Sequence, residues 1–156
     1  MIRIIAENSG NTLHPVTSQL VNAAISIGSS AHVICPGGIG AVEATKITGV
    51  NKVTSVLGDC FKIFDGSAWA EAINSSIDDD SNVIFTSATS QGREIGAIIA
   101  AKRKVPIIQD AISLDSTIEV TRTIYSGKAL EKIQSSSKCV ITIRPNSFDS
   151  APQGNN

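Results

Sequence analysis

Segments with two different spacings of apolar residues alternate along this chain. Short runs rich in branched apolar residues are typical of buried strands, and apolar residues three and four positions apart are typical of helices. The strand-like runs are IRIIAE, AHVICP, KVTSVL, NVIFTSA and IIQDAISL. The helix-like stretches between them are VTSQLVNAAISIG after a predicted loop NSGNTLHP, GGIGAVEATKITG, GSAWAEAINSSI with Ser67 as its predicted cap, and TSQGREIGAIIAAKRK. This alternation predicts an α/β fold, with a parallel sheet of about five strands between helices on both faces.

The pattern changes after the fifth strand. Three segments with alternating apolar and polar residues follow it, TIEVTRTIY, KALEKIQ and KCVITIR, with predicted turns at Ser126-Gly127 and around residues 135–137. No helix fits between these segments, so they are predicted to pair antiparallel and to extend the sheet as a hairpin ribbon. We expect one three-layer domain over residues 1–146. Residues 147–156 are rich in small polar residues, Pro and Gly, which is typical of an interdomain linker or a disordered tail.

Composition excludes several classes of partner. The 156 residues carry 13 basic and 14 acidic side chains, and no basic stripe interleaved with aromatics that could follow a nucleic acid backbone. No apolar run is long enough to span a membrane, and the chain enters a strand at once, so the cytoplasm is the expected compartment. Its three Cys and two His are isolated from one another, so no metal site is expected.

Two loops after strands could bind an anion. TSATSQGRE places Ser87, Thr89, Ser90, Gly92 and Arg93 before or in the first turn of a helix, where free N–H groups favour negative charge. Ser or Thr at this place is equally typical of an ordinary helix cap. CPGGIGA also precedes a helix, but it lacks the dinucleotide spacing and is more typical of a tight turn. No nucleophile and base can be paired, so no catalytic residue is predicted.

Four pieces of the chain, in order, resemble the amino-terminal domain of the electron transfer flavoprotein alpha subunit. They are IIAE at the start, SATSQGREIGAIIAAKRKVPIIQDAISL, the hairpin VTRTIYSGKAL, and IRPNSFD near the end. In the hairpin, Arg122, Tyr125 and Gly127 match positions of the family motif. The resemblance covers essentially the whole chain.

The resemblance implies a function that this chain would share with other domains. Alpha subunits of the family are about twice as long, pair with a beta subunit, and bind FAD mainly through a second domain that is absent here. The heterodimer carries electrons from dehydrogenases, such as acyl-CoA dehydrogenases, to a membrane quinone reductase. It works in the bacterial cytoplasm or, as a processed eukaryotic protein, in the mitochondrial matrix.

By this resemblance, the present domain would be a scaffold that is not itself an enzyme and binds no cofactor. Arg122, Tyr125, Gly127 and Lys128 would form an assembly surface for the beta subunit or the second domain, since Tyr and Arg are enriched at interfaces. An exposed ribbon without a partner is the other interpretation. The competing hypothesis for the whole chain is a stand-alone module that binds adenine nucleotide at one of the two loops.

Overall fold

An eight-stranded sheet forms the centre of the computed structural model, which describes residues 1–78, 80, 82–135 and 137–154. The strands are β1 (Ile2–Ile5), β2 (Asn8–Ser9), β3 (Thr12–Leu13), β4 (Ala31–Pro36), β5 (Val50–Val56), β6 (Val83–Ser87), β7 (Ile107–Leu114), β8 (Glu119–Ile124), β9 (Ala129–Gln134) and β10 (Cys139–Ile143). The helices are α1 (Val16–Ser26), α2 (Ala41–Ala44), α3 (Gly66–Ser75) and α4 (Ser90–Arg103), with a short 3₁₀ turn over Asp59–Lys62.

The strand order in the main sheet is β5-β4-β1-β6-β10-β7-β8-β9. The pairings from β5 to β7 are parallel, and β8 and β9 continue the sheet antiparallel. The predicted α/β fold with an antiparallel hairpin extension is therefore confirmed, with six parallel strands where about five were expected. The remaining two strands, β2 and β3, form a small separate hairpin inside the segment predicted to be a loop.

Helices lie on both faces of the sheet. Successive residues of a strand point to opposite faces, so each buried strand contributes side chains to two cores. On one face, Ile4 packs in a core with Leu20 of α1 and Ala44 of α2. On the other face, the neighbouring residue Ile5 packs in a second core with residues of α3 and α4, including Trp69 and Ile99. The expected three layers are present.

The prediction that KCVITIR pairs antiparallel is wrong. β10 lies between β6 and β7 and pairs parallel with both. All five of its residues are buried. The run CVITI is almost continuously apolar and β-branched, as in parallel strands covered on both faces, whereas the exposed β9 alternates. The turn predicted around residues 135–137 includes Ser136, which lies outside the described residues.

The cap predicted for α3 is also wrong. Asp65, not Ser67, precedes the helix with extended backbone, and its Oδ1 accepts a hydrogen bond of 2.8 Å from the amide of Ala68. A carboxylate two positions earlier is the better acceptor for the free N–H groups of the first turn. The helix predicted over GGIGAVEATKITG is shorter than expected, since only Ala41–Ala44 are helical.

Residues 147–154 pack against the domain. Ala151 is buried, and its amide donates to the carbonyl of Ser18 in α1 at 3.1 Å. The amide of Thr48 donates to Pro152, and the amide of Gly154 donates to Lys46. The role of this segment as a linker stays a prediction, and residues 155 and 156 lie outside the described part. Within the described residues, no helix is long and apolar enough to cross a bilayer.

Candidate functional site

The carboxyl ends of the parallel strands carry two polar clusters. The first surrounds the start of α4, where Thr89 is the helix cap and its Oγ1 accepts a hydrogen bond of 3.1 Å from the amide of Gly92. Glu7, which follows β1, places its Oε2 against the same group. That carboxylate oxygen accepts hydrogen bonds from Thr89 Oγ1 at 2.7 Å and from Ser87 Oγ. A carboxylate of the chain itself therefore lies where an external anion would accept from these hydroxyls.

Gly92 has a packing role in this loop. A Cβ built on Gly92 would lie 2.1 Å from the carbonyl oxygen of Ser87 and 2.3 Å from its Oγ. The missing side chain lets the first turn of α4 approach the end of β6. Ser90 begins the helix, and Arg93 turns away from the loop toward a different carboxylate. The structure thus brings together Ser87, Thr89 and Gly92 of the predicted anion loop, with Glu7 between them.

The glycines of CPGGIGA form a tight turn. Gly37, Gly38 and Gly40 have positive φ values, and the amide of Gly38 donates to the carbonyl of Cys35 at 3.1 Å. A Cβ on Gly40 would lie 2.7 Å from the Cβ of Leu13. Both the backbone conformation and the close approach of β3 therefore require glycine here.

The second polar cluster joins two arginines to one carboxylate. Asp110 in β7 accepts hydrogen bonds from Arg144 Nε at 3.1 Å and from Arg93 Nη2 at 3.2 Å, and Arg144 Nη2 contacts its other oxygen. Arg144 directly follows β10, and Arg93 lies in the first turn of α4. Three elements distant in sequence thus meet at one edge of the sheet.

A β-bulge aims Asp110 at the arginines. Between the paired residues Ile108 and Ala111, β7 has two residues opposite the single Thr142 of β10. Asp110 takes a φ of 69°, unusual for a residue with a side chain, and its displaced amide donates to the buried Thr142 Oγ1 at 2.8 Å. Bulges are typical places where a strand re-aims a side chain.

The two arginines keep the Asp110 carboxyl ionised. Hydrogen bonding from Arg144 holds the pKa of the Asp110 carboxyl below its usual range, against partial burial, which acts to raise it. The nearby Arg93 adds to the lowering. Asp110 in turn raises the pKa of the Arg144 guanidinium. At neutral pH the cluster therefore contains two positive charges and one negative charge.

The β8–β9 hairpin carries the predicted assembly residues. Arg122 is paired across the hairpin, with its Nε donating to Glu131 Oε2 at 2.6 Å. The connecting loop has four residues where a tight two-residue turn was expected, since Ile124 pairs with Ala129. Tyr125, at φ 50°, is 77% exposed, and Gly127 and Lys128 are exposed beside it. Tyr125, Gly127 and Lys128 thus form the hairpin tip, and Arg122 lies apart from them in the ribbon.

A groove joins the hairpin tip to the arginine cluster. It has a volume of about 440 Å³ and is lined by Asp110, Arg144 and residues 123–127. The sequence predicted the hairpin side of this groove but not its other wall, nor Glu7 in the first cluster. The available signals were an acidic residue inside the apolar run IIQDAISL and an Arg at the end of CVITI. Both are unusual next to buried strand positions.

The two buried thiols, Cys35 and Cys139, add no reactive site. Burial raises the pKa of the Cys35 thiol to about 11, and burial also raises that of Cys139. Such thiols stay protonated and unreactive at neutral pH. Within the described ranges, no three His, Cys, Asp or Glu side chains group as metal ligands would.

Known proteins match this chain over nearly its whole length. A family model described as an electron transfer flavoprotein domain matches residues 2–156. This chain belongs to the electron transfer flavoprotein family. It is 30% identical to the electron transfer flavoprotein subunit alpha of Pseudomonas aeruginosa, over 95% of this chain and 49% of that protein. It is 28% identical to the probable mitochondrial alpha subunit of Caenorhabditis elegans, over 97% of this chain and 47% of that protein.

The resemblance to the alpha subunit is confirmed by these matches. A mitochondrial alpha subunit of Arabidopsis thaliana gives the same result, with 28% identity over 96% of this chain and 44% of that protein. The chain therefore spans about half the length of the curated relatives it matches.

Proposed function

We propose that this domain is the scaffold and subunit-interface part of an electron transfer flavoprotein alpha subunit. The match of nearly the whole chain to about half of each alpha subunit carries the proposal. The full heterodimer with a beta subunit would carry electrons on FAD from dehydrogenases, such as acyl-CoA dehydrogenases, to a membrane quinone reductase. Its compartment would be the bacterial cytoplasm, or the mitochondrial matrix for a processed eukaryotic chain.

FAD would be bound outside this domain. The helix start that a flavin or nucleotide phosphate would use in this fold is α4, and its cap holds the Glu7 carboxylate. A second negative group at that place would be repelled, so the residues present do not fit a pyrophosphate. This geometry favours the scaffold function over a stand-alone nucleotide module. We expect no saturable heat when AMP or ATP is titrated into the chain, and saturable binding of either would support the nucleotide module instead.

The exposed hairpin tip supports an interface role. Tyr125 offers a large, rigid amphipathic ring held by a hairpin backbone, which is typical of residues that contribute strongly to protein interfaces. The tip ends in loop residues 125–128 and leaves Tyr125 without contacts that would bury it in the domain. A partner that covers the tip would bury this ring.

The test is Tyr125→Ala in the native-length protein, with heterodimer assembly measured by size-exclusion chromatography and flavin retention by visible absorbance. We expect weaker assembly and lower flavin content. Leu57→Ala is the control, since Leu57 is an exposed apolar residue at 76% exposure that follows β5, at the opposite edge of the sheet from the hairpin. Unchanged assembly and flavin content in Tyr125→Ala would contradict the interface role.

A further inference from the structure

The arginine cluster keeps unused hydrogen-bond donors beside the groove. Each guanidinium has five N–H donors in a fixed plane. Asp110 accepts hydrogen bonds from Nε and Nη2 of Arg144, and from Nη2 alone of Arg93. Among the described residues, Nη1 of Arg144 and both Nε and Nη1 of Arg93 have no protein partner. The side chains of Arg144 and Arg93 are 40% and 49% exposed, and Arg144 lines the groove directly.

The charge of the cluster favours an anionic ligand. Arg93 and Arg144 bring two permanent positive charges, and Asp110 supplies one negative charge, which leaves one positive charge unmatched. Asp110 also fixes the Arg144 plane with two parallel contacts, as in a bidentate pair. The guanidinium is therefore oriented before any ligand arrives, which lowers the ordering cost of binding.

The shape of the groove favours a side chain over an extended surface. One wall is the Arg144–Asp110 pair, and the other is the turn from Thr123 to Gly127. A volume of about 440 Å³ accepts one or two side chains. The exposed ring of Tyr125 lies at the groove and adds apolar area beside the charged wall. An acidic side chain could place its carboxylate on the arginines and its methylenes against the tip.

We propose that this groove binds an Asp or Glu side chain of the partner subunit, which the Arg144 guanidinium in its wall holds by charge-assisted hydrogen bonds, while Arg93, paired to Asp110 beside the groove, adds positive charge. The inference deepens the proposed function and rests on it, because the partner is the subunit that covers the hairpin tip. It gives the arginine cluster a role in recognition, in addition to its contact with Asp110. Arg93, first noted as part of an anion loop, then acts at a different site from the one its sequence position indicated.

The first experiment measures partner affinity. The domain and two variants, Arg144→Gln and Arg93→Gln, are titrated with the purified beta subunit by calorimetry. We expect Arg144→Gln to weaken binding by about tenfold or more, as for loss of one partner of a desolvated charge pair, and Arg93→Gln to weaken it less. Lys102→Gln is the control, because it removes the same charge from the far end of α4, where Lys102 pairs with Glu71. Thermal unfolding of each variant checks that the fold is kept.

A second experiment tests the groove without the partner. The ¹⁵N-labelled chain is titrated with sodium acetate and, separately, with inorganic phosphate, each against sodium chloride at equal ionic strength. The Nε–Hε signals of Arg93 and Arg144 are followed. We expect both signals to shift saturably with acetate in the wild-type chain. In Arg144→Gln, we expect the Arg93 signal to show no saturable shift. Shifts with phosphate alone would assign the groove to a free anion and overturn the inference.

The outcomes separate this inference from the proposed function. If the wild-type domain binds the beta subunit and all three variants bind equally well, the interface proposal stands and the carboxylate site is refuted. If the wild-type domain does not bind the beta subunit, the proposed function fails, and the acetate titration decides whether the groove is a carboxylate site. If Lys102→Gln weakens binding as much as Arg144→Gln, the effect is one of general charge and the inference is overturned.

Discussion

Gly92 illustrates how one residue can be typical of two different sites. In the sequence, a glycine after Ser and Thr at a helix start is compatible with a phosphate loop. In the structure, the glycine is required because a Cβ would overlap the backbone carbonyl of Ser87 at 2.1 Å. Glu7, which follows β1 and precedes Ser87 by 80 residues, then completes the loop. The letters around Gly92 could not reveal that carboxylate.

We predict that Gly92→Ala destabilises the domain by about 1–3 kcal/mol, the usual cost of overpacking a rigid contact. In an open helix the same change would stabilise by up to about 1 kcal/mol. Urea unfolding measures the free energy. Gly66→Ala is the control, because the three atoms nearest to its Cβ would all belong to the flexible Glu94 side chain rather than to backbone. A stabilised Gly92→Ala variant would contradict the close packing of α4 on Ser87.

His32 makes the stability of the domain depend on pH. The ring is buried in β4, and its Nε2 lies 2.8 Å from Thr54 Oγ1, while its Nδ1 has no described hydrogen-bond partner. Burial lowers the pKa of His32 to about 4, and the positive charges of Lys52 and Arg3 add to the shift against a weaker, opposite effect of Asp78. The folded protein therefore keeps this ring neutral at pH 7 and resists its protonation.

The unfolded chain binds a proton at His32 near pH 6.5, and the folded chain does so only near pH 4. Because the unfolded chain takes up this proton first, the free energy of unfolding is highest above pH 6.5 and falls as the pH drops from 6.5 toward 4. From pH 7.5 to pH 5 we expect His32 to account for a loss of about 2 kcal/mol. Urea unfolding at both pH values measures it. His32→Gln should flatten the dependence and the control His14→Gln should not; equal slopes in all three proteins would refute this assignment.

At the element scale, the local signals in the sequence located most strands and helices. The strand AHVICP was predicted with the bounds that β4 has. The failures came where a distant partner decides the structure. Ser67 is a reasonable cap by residue type, but the helix start depends on where the chain leaves the 3₁₀ turn before it. For β10, the flanking Lys138 and Arg144 made the segment resemble its exposed neighbours, although its own five residues are buried.

The candidate site was predictable to a similar extent. The hairpin tip is contiguous in sequence, so its Tyr, Gly and Lys were found together. The opposite wall is not contiguous, because Asp110 and Arg144 meet only through the parallel pairing of β7 with β10. The Asp inside the apolar run of β7 marks an unusual position, but it does not tell that a bulge turns its side chain toward Arg144. A sequence that predicts strands but not their order cannot place these two residues side by side.

Removing the observed cap of α3 tests the element directly. We predict that Asp65→Ala lowers the free energy of unfolding by about 1 kcal/mol, because the Ala68 amide loses its acceptor. Ser67→Ala is the matched control and should change stability by less than about 0.5 kcal/mol. Both are measured by urea unfolding at pH 7. A larger loss in Ser67→Ala than in Asp65→Ala would return the cap to the position that the sequence suggested.

At the scale of the whole molecule, stability should be graded across the sheet. β1, β6 and β10 contribute buried residues to the cores on both faces of the sheet and are paired on both edges, whereas β9 has one free edge and an exposed, polar alternation. Apolar burial is greatest at the centre and least in the ribbon. The hairpin that carries the proposed interface is thus the part of the sheet least supported by the core.

We predict that amide hydrogen exchange follows this gradient. Amides of β10 should exchange only through global unfolding, and those of β9 should exchange through local opening with lower protection. Native-state exchange followed by NMR in increasing low urea separates the two, because global exchange accelerates with urea and local exchange does not. The amides of β4, paired on both edges, are the internal control. Equal, urea-sensitive exchange in β9 and β10 would mean that the ribbon and the core unfold as one unit.

The central position of β10 also has a consequence for how the protein is made. A ribosome completes β6 about 50 residues before it starts β10, a delay of roughly 3 to 10 s at ordinary translation rates. During that time β6 and, once it is made, β7 lack their partner strand, so other nascent chains can pair with their free edges. The sheet is complete only when residues 139–143 pair between β6 and β7, which were synthesised earlier. Chaperone binding to the nascent chain should therefore persist until these residues have left the ribosome.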